Sequence, residues 1–351
     1  GAYRFAAEQP ETGILLERNP FYFGAPAAYA EILFVAKGRG EDAFTASIKN
    51  ADQDTVTQSS LDFSERIEPL LEEIRDRKLS ASIYPTLDRT ELVFNFNASD
   101  PTLRDAFANE EMRVALTQCV NRPRLIREIL YGQSEVPIGA YPSFHAFSLN
   151  GEGYVGFNPE EGRMFLTSAF GSGLRLKLTY VEGETQRRMA EFVAESWRDC
   201  GVEVSTEGIP LQSVGTLRGG GFDVALVQRA GGSRLPCRDL LSAAILDPAQ
   251  GVNISGIQSA EVDDLCIAAR SSVAFGSAGN FAHVASSILN SKMLTIPLAF
   301  EPAFALRTGT VCGVESVIGM RSILWNVERF HPVGAGEDCV QSQWNNIYVG
   351  N

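Results

Sequence analysis

Residues 174–206 constrain the fold of this chain more than any other stretch. LRLKLTY (174–180) alternates apolar and polar residues like a half-buried strand. The segment 184–200 then carries Met189, Phe192, Val193, Trp197 and Cys200 at i, i+3, i+4, i+8 and i+11, one stripe of a helix. Gly201 stops that helix, and 202–206 returns as a strand. Strand, helix and strand with short connections form a β-α-β unit, the building block of α/β folds.

A second organised block spans 92–139. LVFNFN (92–97) reads as a strand, and the helix at 111–120 places Met112, Ala115, Leu116 and Cys119 on one face. Asn121 is suited to cap the next helix, with Pro123 in its first turn, where a missing N–H costs little. Leu125, Ile126, Ile129 and Leu130 form its apolar face, and Gly132 ends it. Residues 133–157 are irregular and rich in Gly, Pro, Ser and aromatics, including Tyr141, Phe144, His145, Phe147 and Tyr154; a long ordered loop of this kind often lines a site. Asn158-Pro159-Glu160-Glu161 opens another helix, to Phe170. Ahead of these blocks, 2–5 and 13–18 read as a hairpin, 31–35 as a short strand, and 41–49 and 65–76 as amphipathic helices. Behind them, 222–228 is a buried strand, 238–245, 260–270 and 280–290 are helical, and 294–305 is a strand.

With 351 residues the chain suggests two lobes, because single cores stop growing near ~250–300 residues. Gly171-Ser172-Gly173 marks a boundary, giving a first lobe at 1–170, a second inserted at 171–305, and a return to the first at 306–351. Leaving one lobe and coming back makes a two-strand hinge suited to clamshell closure. The net charge of −13 argues against a nucleic-acid partner, which requires a basic face. No segment approaches ~18 consecutive apolar residues, so no membrane-spanning helix is expected.

Enzymatic signatures are missing. His145, His283 and His331 show no zinc-binding spacing, so no metal is expected. There is no G-x-S-x-G elbow. Gly219-Gly220-Gly221 precedes a strand instead of following one, which excludes a phosphate-cradling loop and leaves a turn. Asp263 and Asp264 are adjacent on a helix and point about 100° apart, so they do not converge on one substrate atom. The six cysteines, Cys119, Cys200, Cys237, Cys266, Cys312 and Cys339, are too widely spaced for a Cys-x-x-Cys site. Their spacing leaves open both disulfides and reduced core thiols.

Nine segments, in order, resemble the extracytoplasmic solute-binding proteins of ABC importers, family 5 (the peptide, oligopeptide and nickel-binding type). They are the GAYRF strand at 1–5, LLERNPFYFG at 15–24, EILFV at 31–35, the paired helices at 113–132, FNPEEGRMFLTSAF at 157–170, GFDVAL at 221–226, NISG with Glu261-Val262-Asp263, Ile296-Pro297-Leu298, and Trp325-Asn326-Val327-Glu328. The resemblance implies an α/β, two-lobed clamshell like periplasmic binding proteins of class II (cluster C), with mixed sheets flanked by helices. It implies that the N-terminal part of the family's first lobe is missing here. It implies a monomeric, non-enzymatic receptor without cofactor, outside the cytoplasm, periplasmic or a cell-surface lipoprotein when full length. Such a receptor captures a peptide or other small solute between its lobes and presents it to membrane permease subunits. The alternatives are a hydrolase-like α/β enzyme and a ligand-sensing domain without transport.

On that resemblance the residues expected at the ligand are Asn95 and Asn97 at the strand end, Tyr141 and His145 in the loop, Gln228 and Arg229 after the second-lobe strand, and Asn253 in the GVNISG turn. Peptide binders of the family carry an Asp just after the strand equivalent to 223–228; here Gln228-Arg229-Ala230-Gly231 has no acid. Arg229 either favours an anionic ligand or is a solvated surface residue. The family pattern also implies a Cys237–Cys266 bridge. Cys119 is expected to pair with Cys312 or Cys339, and Cys200, at the end of an apolar helix face, reads as a core thiol.

Overall fold

The computed structural model describes residues 1–9, 13–34, 56–59, 80–149, 151, 153–171, 173–231, 240–245, 253–273, 275–308, 311–314 and 326–334. The helices expected at 41–49 and 65–76, together with Cys237, Trp325 and Cys339, lie outside them. The strands and helices, in chain order, are β1 (Tyr3–Gln9), β2 (Gly13–Arg18), β3 (Glu31–Phe34), β4 (Val56–Ser59), β5 (Ser80–Phe94), α1 (Pro101–Ala108), α2 (Glu110–Gln118), α3 (Arg122–Ile129) and α4 (Pro159–Phe170). They continue as β6 (Arg175–Val181), α5 (Glu184–Asp199), β7 (Glu203–Ile209), α6 (Gly215–Arg218), β8 (Val224–Arg229), α7 (Ala260–Ser271), α8 (Phe275–Ser291), β9 (Thr295–Arg307), β10 (Val311–Cys312) and β11 (His331–Pro332). This is the mixed α/β architecture expected from the sequence. Two compact units divide the chain: Gly1–Tyr84 with Pro302–Asn351, and Pro85–Glu301.

In the first unit, β1, β2 and β3 form an antiparallel sheet, with Tyr3 opposite Arg18 and Leu15 opposite Leu33. β4 pairs antiparallel with the end of β9, Val56 facing Arg307. Ala303, Ala305, Val311, Val314 and Phe330 make the core of this unit.

The second unit is built on a sheet of order β9-β5-β8-β6-β7. β6 runs parallel to both β7 and β8, and β5 runs antiparallel to β8. The β6-α5-β7 crossover is the unit read from the sequence. Met189, Val193, Trp197 and Cys200 on its helix are buried, as the spacing requires. Asn121 caps α3 and Asn158 caps α4, each side chain accepting from a first-turn N–H, with a proline at the start of each helix. The sequence reading places no helix between Asn97 and Glu111. The structure has α1 there, announced by Asp100, whose carboxylate accepts from the Thr102 N–H at 2.8 Å, followed at once by Pro101. Of the helix expected at 238–245, the described part is a single 3-10 turn at Ser242–Ile245.

α2 and α5 are tied to each other at their ends. The Trp197 indole N–H donates to the Leu116 carbonyl at 2.9 Å, and Cys119 and Cys200 form a disulfide. This corrects two expectations, that Cys119 pairs with Cys312 or Cys339 and that Cys200 is a core thiol. The two residues lie 81 positions apart in sequence, and only the packing of α2 on α5 brings their Cα atoms to 6.2 Å. Gly162 of α4 lies against the same corner. A Cβ there would sit 2.8 Å from both the Ala115 carbonyl oxygen and Cys119 Sγ, so α4 approaches α2 this closely only as glycine. Cys266 and Cys312 are also disulfide-bonded, to partners outside the described residues.

Two arginines of the helix pair act as internal struts. Arg113 is buried and donates to the carbonyls of Phe107 (2.6 Å), Lys292 (2.7 Å) and Met293 (3.1 Å), bracing the turn from α8 into β9. Arg122 is buried, donates to the Pro297 and Val155 carbonyls, and lies 5.0 Å over the Tyr154 ring. Cross-linking residues 81 apart removes much chain entropy from the unfolded state, worth about 4 kcal/mol. The double variant Cys119→Ala/Cys200→Ala is therefore expected to lose about that much stability in a denaturant titration; an unchanged midpoint contradicts the cross-link's role.

Candidate functional site

The expected site residues fall into three groups, all within the second unit. The first is a bracket of asparagines where β5 ends. The Asn95 amide donates to the carbonyls of Gly220 (3.0 Å) and Phe222 (2.8 Å), and its Oδ1 accepts from the Asn97 N–H. Asn253 is also buried: its Nδ2 donates to the Leu241 and Ile257 carbonyls at 3.1 and 2.9 Å, and its Oδ1 accepts from Ser255 Oγ and the Gly256 N–H. The two turns are joined by the Phe96 N–H donating to the Ser255 carbonyl at 2.8 Å. Both amides are thus consumed internally, by backbone groups and the Ser255 hydroxyl, satisfying buried carbonyls that would otherwise be costly. Asn97 is exposed, and its side chain lies so close to Gly256 (φ 74°) that a Cβ there would be 2.2 Å from Asn97 Nδ2.

The second group is aromatic and lies in the long loop between α3 and α4. The Tyr141 and His145 rings stack at 4.3 Å with 10° between their planes, and Phe147 meets both edge-on at 5.7 and 5.2 Å. The Phe147 N–H donates to His145 Nδ1. Burial pushes the His145 imidazole below its ordinary range, which favours the neutral ring that this acceptor role requires. Tyr141 is buried in a cluster with Ala140, Leu240, Leu241, Val262, Cys266 and Ala285. Burial raises its pKa, against a smaller downward pull from the Arg89 charge. The loop is sutured to β9: Ser134 Oγ donates to the Phe300 carbonyl at 2.5 Å, and the Phe300 N–H donates to the Glu135 carbonyl.

The third group surrounds Gln228 and Arg229 at the end of β8. Register places Arg89 opposite Arg229 and Thr90 opposite Gln228. Strand alternation then puts Arg89, Glu91 and Arg229 on one face of the sheet and Thr90 and Gln228 on the other. On the first face Glu91 accepts from both guanidiniums, Arg89 Nε at 3.0 Å and Arg229 Nε at 2.9 Å. All three side chains are buried, so Arg229 is not a solvated residue. Burial pushes the Glu91 carboxyl up, but the two arginines outweigh it and hold it below the ordinary range. On the other face Thr90 and Gln228 hydrogen-bond to Glu301. Burial raises the Glu301 carboxyl above its ordinary range, the Thr90 and Gln228 bonds oppose this, and the nearby Asp88 charge adds to it.

The structure therefore brings Tyr141 and His145 together, places Gln228 beside a buried carboxyl and Arg229 in a buried ion network, and keeps the asparagines as a separate bracket. The sequence reading missed Arg89, Glu91 and Glu301. Their signals were legible: charged residues at i and i+2 (D-R-T-E, 88–91) directly before an apolar LVF, and one acid inside the apolar run IPLAFEPAFAL. Of the predicted disulfide pair, Cys266 is bridged and Cys237 lies outside the described residues. Among the described residues no cluster of three or more His, Cys, Asp or Glu could hold a metal ion.

Glu91 and Glu301 carry opposite linkage signs. The depressed Glu91 carboxyl contributes stability above its unfolded value, lost as pH falls through its folded one; the raised Glu301 carboxyl contributes below its unfolded value, and this is lost as pH rises through its folded one. Glu301→Gln keeps the neutral shape and removes that loss. Thermal melts are expected to show the variant gaining on the parent chain at pH 8 relative to pH 4; an equal or opposite difference contradicts burial of a raised carboxyl.

Comparison with known proteins places this geometry. The family of bacterial extracellular solute-binding proteins, family 5 (middle), matches residues 1–242. No helix among the described residues is long and apolar enough to cross a membrane. Comparison with curated protein sequences gave no match. Among solved structures, the oligopeptide-binding protein AppA from Bacillus subtilis, in complex with a nonapeptide, is similar at a TM-score of 0.69 and 16% identity, over 95% of this chain and 66% of that one. CtaP, an ABC transporter substrate-binding protein from Listeria monocytogenes, is similar at 0.77 and 13% identity, over 95% and 66%. NikA from Brucella suis, in complex with Fe(III)-EDTA, is similar at 0.74 and 17% identity, over 95% and 68%. The chain thus spans about two thirds of the length of the structures it matches, and at these identities they speak for the fold alone. The match over residues 1–242 of 351 is decisive for kinship: this chain belongs to family 5 of the bacterial extracellular solute-binding proteins.

Proposed function

We propose that this chain serves as the substrate-binding component of an ABC-type uptake transporter. Acting outside the cytoplasm, periplasmic or tethered to the cell surface, it captures a peptide or other small solute and delivers it to permease subunits in the membrane. In this reading the protein binds without transforming its cargo, and Cys237 is the partner of Cys266.

Family membership is the observation that carries the proposal. It is supported by the polar chemistry where β8 ends beside the middle of β5, with Glu301 of β9 on the opposite face. Buried ion pairs and a buried carboxyl are costly to maintain for stability alone, and placed polar groups beside aromatic side chains suit orientation of a small ligand. The structures named above hold a nonapeptide and Fe(III)-EDTA, so relatives of this fold accept chemically different cargo.

A thermal-shift screen with di- to nonapeptides, free amino acids and metal chelates tests the proposal. A ligand that binds the folded chain raises the melting temperature by mass action, and a rise of several degrees is expected with at least one class. Unshifted melting across the whole panel, with no small molecule carried through purification, would overturn it.

A further inference from the structure

The loop between α3 and α4 folds back on itself at 142–148. The His145 N–H donates to the Pro142 carbonyl at 2.9 Å, and the Ser148 N–H donates to the His145 carbonyl at 3.0 Å. Two titratable side chains fasten this double turn. Glu135 accepts from the Ser143 N–H at 2.5 Å and from the Ser143 hydroxyl at 2.6 Å. His145 Nδ1 accepts from the Phe147 N–H at 3.2 Å. The Phe147 ring is seated on α8 at Gly279, a buried position where a Cβ would collide with it. The bond to His145 therefore helps set the backbone from which Phe147 reaches the helix.

That bond exists only while Nδ1 carries no proton. An imidazolium donates from both nitrogens, so protonation would set two donors against each other at Phe147. Burial holds the His145 imidazole below its ordinary range, so the folded loop favours the neutral ring. Stability from the neutral ring is present above the unfolded value and is lost as pH falls through the folded one. The ionisable groups on the elements around the ring are few. Glu135, on the same loop, has both oxygens engaged by Ser143. Tyr141, stacked on the ring, stays protonated because burial raises its phenol, and the Arg89 charge of β5, which acts on Tyr141, opposes a second cation. α8 carries His283 one turn beyond Gly279. α7 carries Asp263, which accepts from the Ser242 N–H at 2.9 Å, and Glu261, which pairs with Lys292.

We propose that His145 is a pH-sensitive latch on this loop: on protonation it releases the backbone at Phe147, and the segment 146–148 loosens from α8. The ring itself is retained, because a cation over the face of Tyr141 is attracted to it. The latch needs no solute to operate. Where the chain works outside the cytoplasm, it answers to the pH of the surroundings.

An NMR titration of the isotope-labelled chain from pH 8 to pH 4.5 tests the latch. The His145 imidazole signal is expected to titrate with a midpoint below that of an unfolded histidine, and the Phe147 amide signal to follow with the same midpoint. Exchange of the Phe147 N–H, compared at equal intrinsic rate, is expected to become up to about tenfold faster once the ring is charged, the size of one hydrogen bond. His145→Asn keeps an acceptor that does not titrate, since a side-chain amide oxygen also bonds the N–H two residues on. Its Phe147 amide is expected to exchange at the same corrected rate throughout. Protonation of Glu135 loosens Ser143 in parent and variant alike, so a response shared by both counts against His145. A Phe147 amide that ignores the His145 midpoint, that shifts with unchanged exchange, or that responds equally in His145→Asn overturns the latch. The parent titration alone decides the matter if the variant does not fold.

Discussion

The second unit depends on one buried electrostatic arrangement, the Glu91 carboxylate shared by Arg89 and Arg229. Arg89 and Arg229 face each other directly across the β5–β8 ladder, where like charges repel. Glu91 makes that pairing tolerable by giving one oxygen to each guanidinium. Removing a partner from such a group strands a buried charge, at a cost of about 3–5 kcal/mol. The arrangement also specifies register. A slip of one residue between β5 and β8 would carry Arg89 and Glu91 together to the other face and strand the Arg229 charge without its carboxylate.

From this arrangement outward, polar residues divide by what they hold. Arg113 and Arg122, in the helix pair that resembles the family's, bind backbone carbonyls of the α8–β9 turn, of β9 and of the long loop. Asn95 and Asn253 bind backbone on either side of the joined turns. These residues build the frame. Others pair with one another across the sheet: Arg89 and Arg229 with Glu91, and Thr90 and Gln228 with Glu301, near the end of β8. The distinction explains how a family can be recognised from its framework while its members bind unlike cargo.

Much of the frame was legible in the sequence because it rests on local rules. Alternation gave β6, helical periodicity gave α5, and Asn-x-Pro and Asn-Pro gave the starts of α3 and α4. The site was less legible because its logic is non-local. Nothing near Cys119 points to Cys200, 81 residues away, until α2 packs on α5. Nothing near Arg229 shows that its partner is Glu91 until β5 and β8 pair. Asn95 and Asn253 looked like ligand anchors because a polar side chain at a strand end can turn either to solvent or to backbone, and sequence does not state which.

In the proposed capture role, solute is expected where β8 ends beside the middle of β5, next to the Tyr141 loop. Hydrogen exchange with solute bound and removed tests it most directly. Slowed exchange on binding is expected in residues 134–147 and 228–231, with the neighbouring strand segment 86–91 following. Unchanged exchange in all three, with slowing instead at the far edge of the sheet around 203–220, would contradict it.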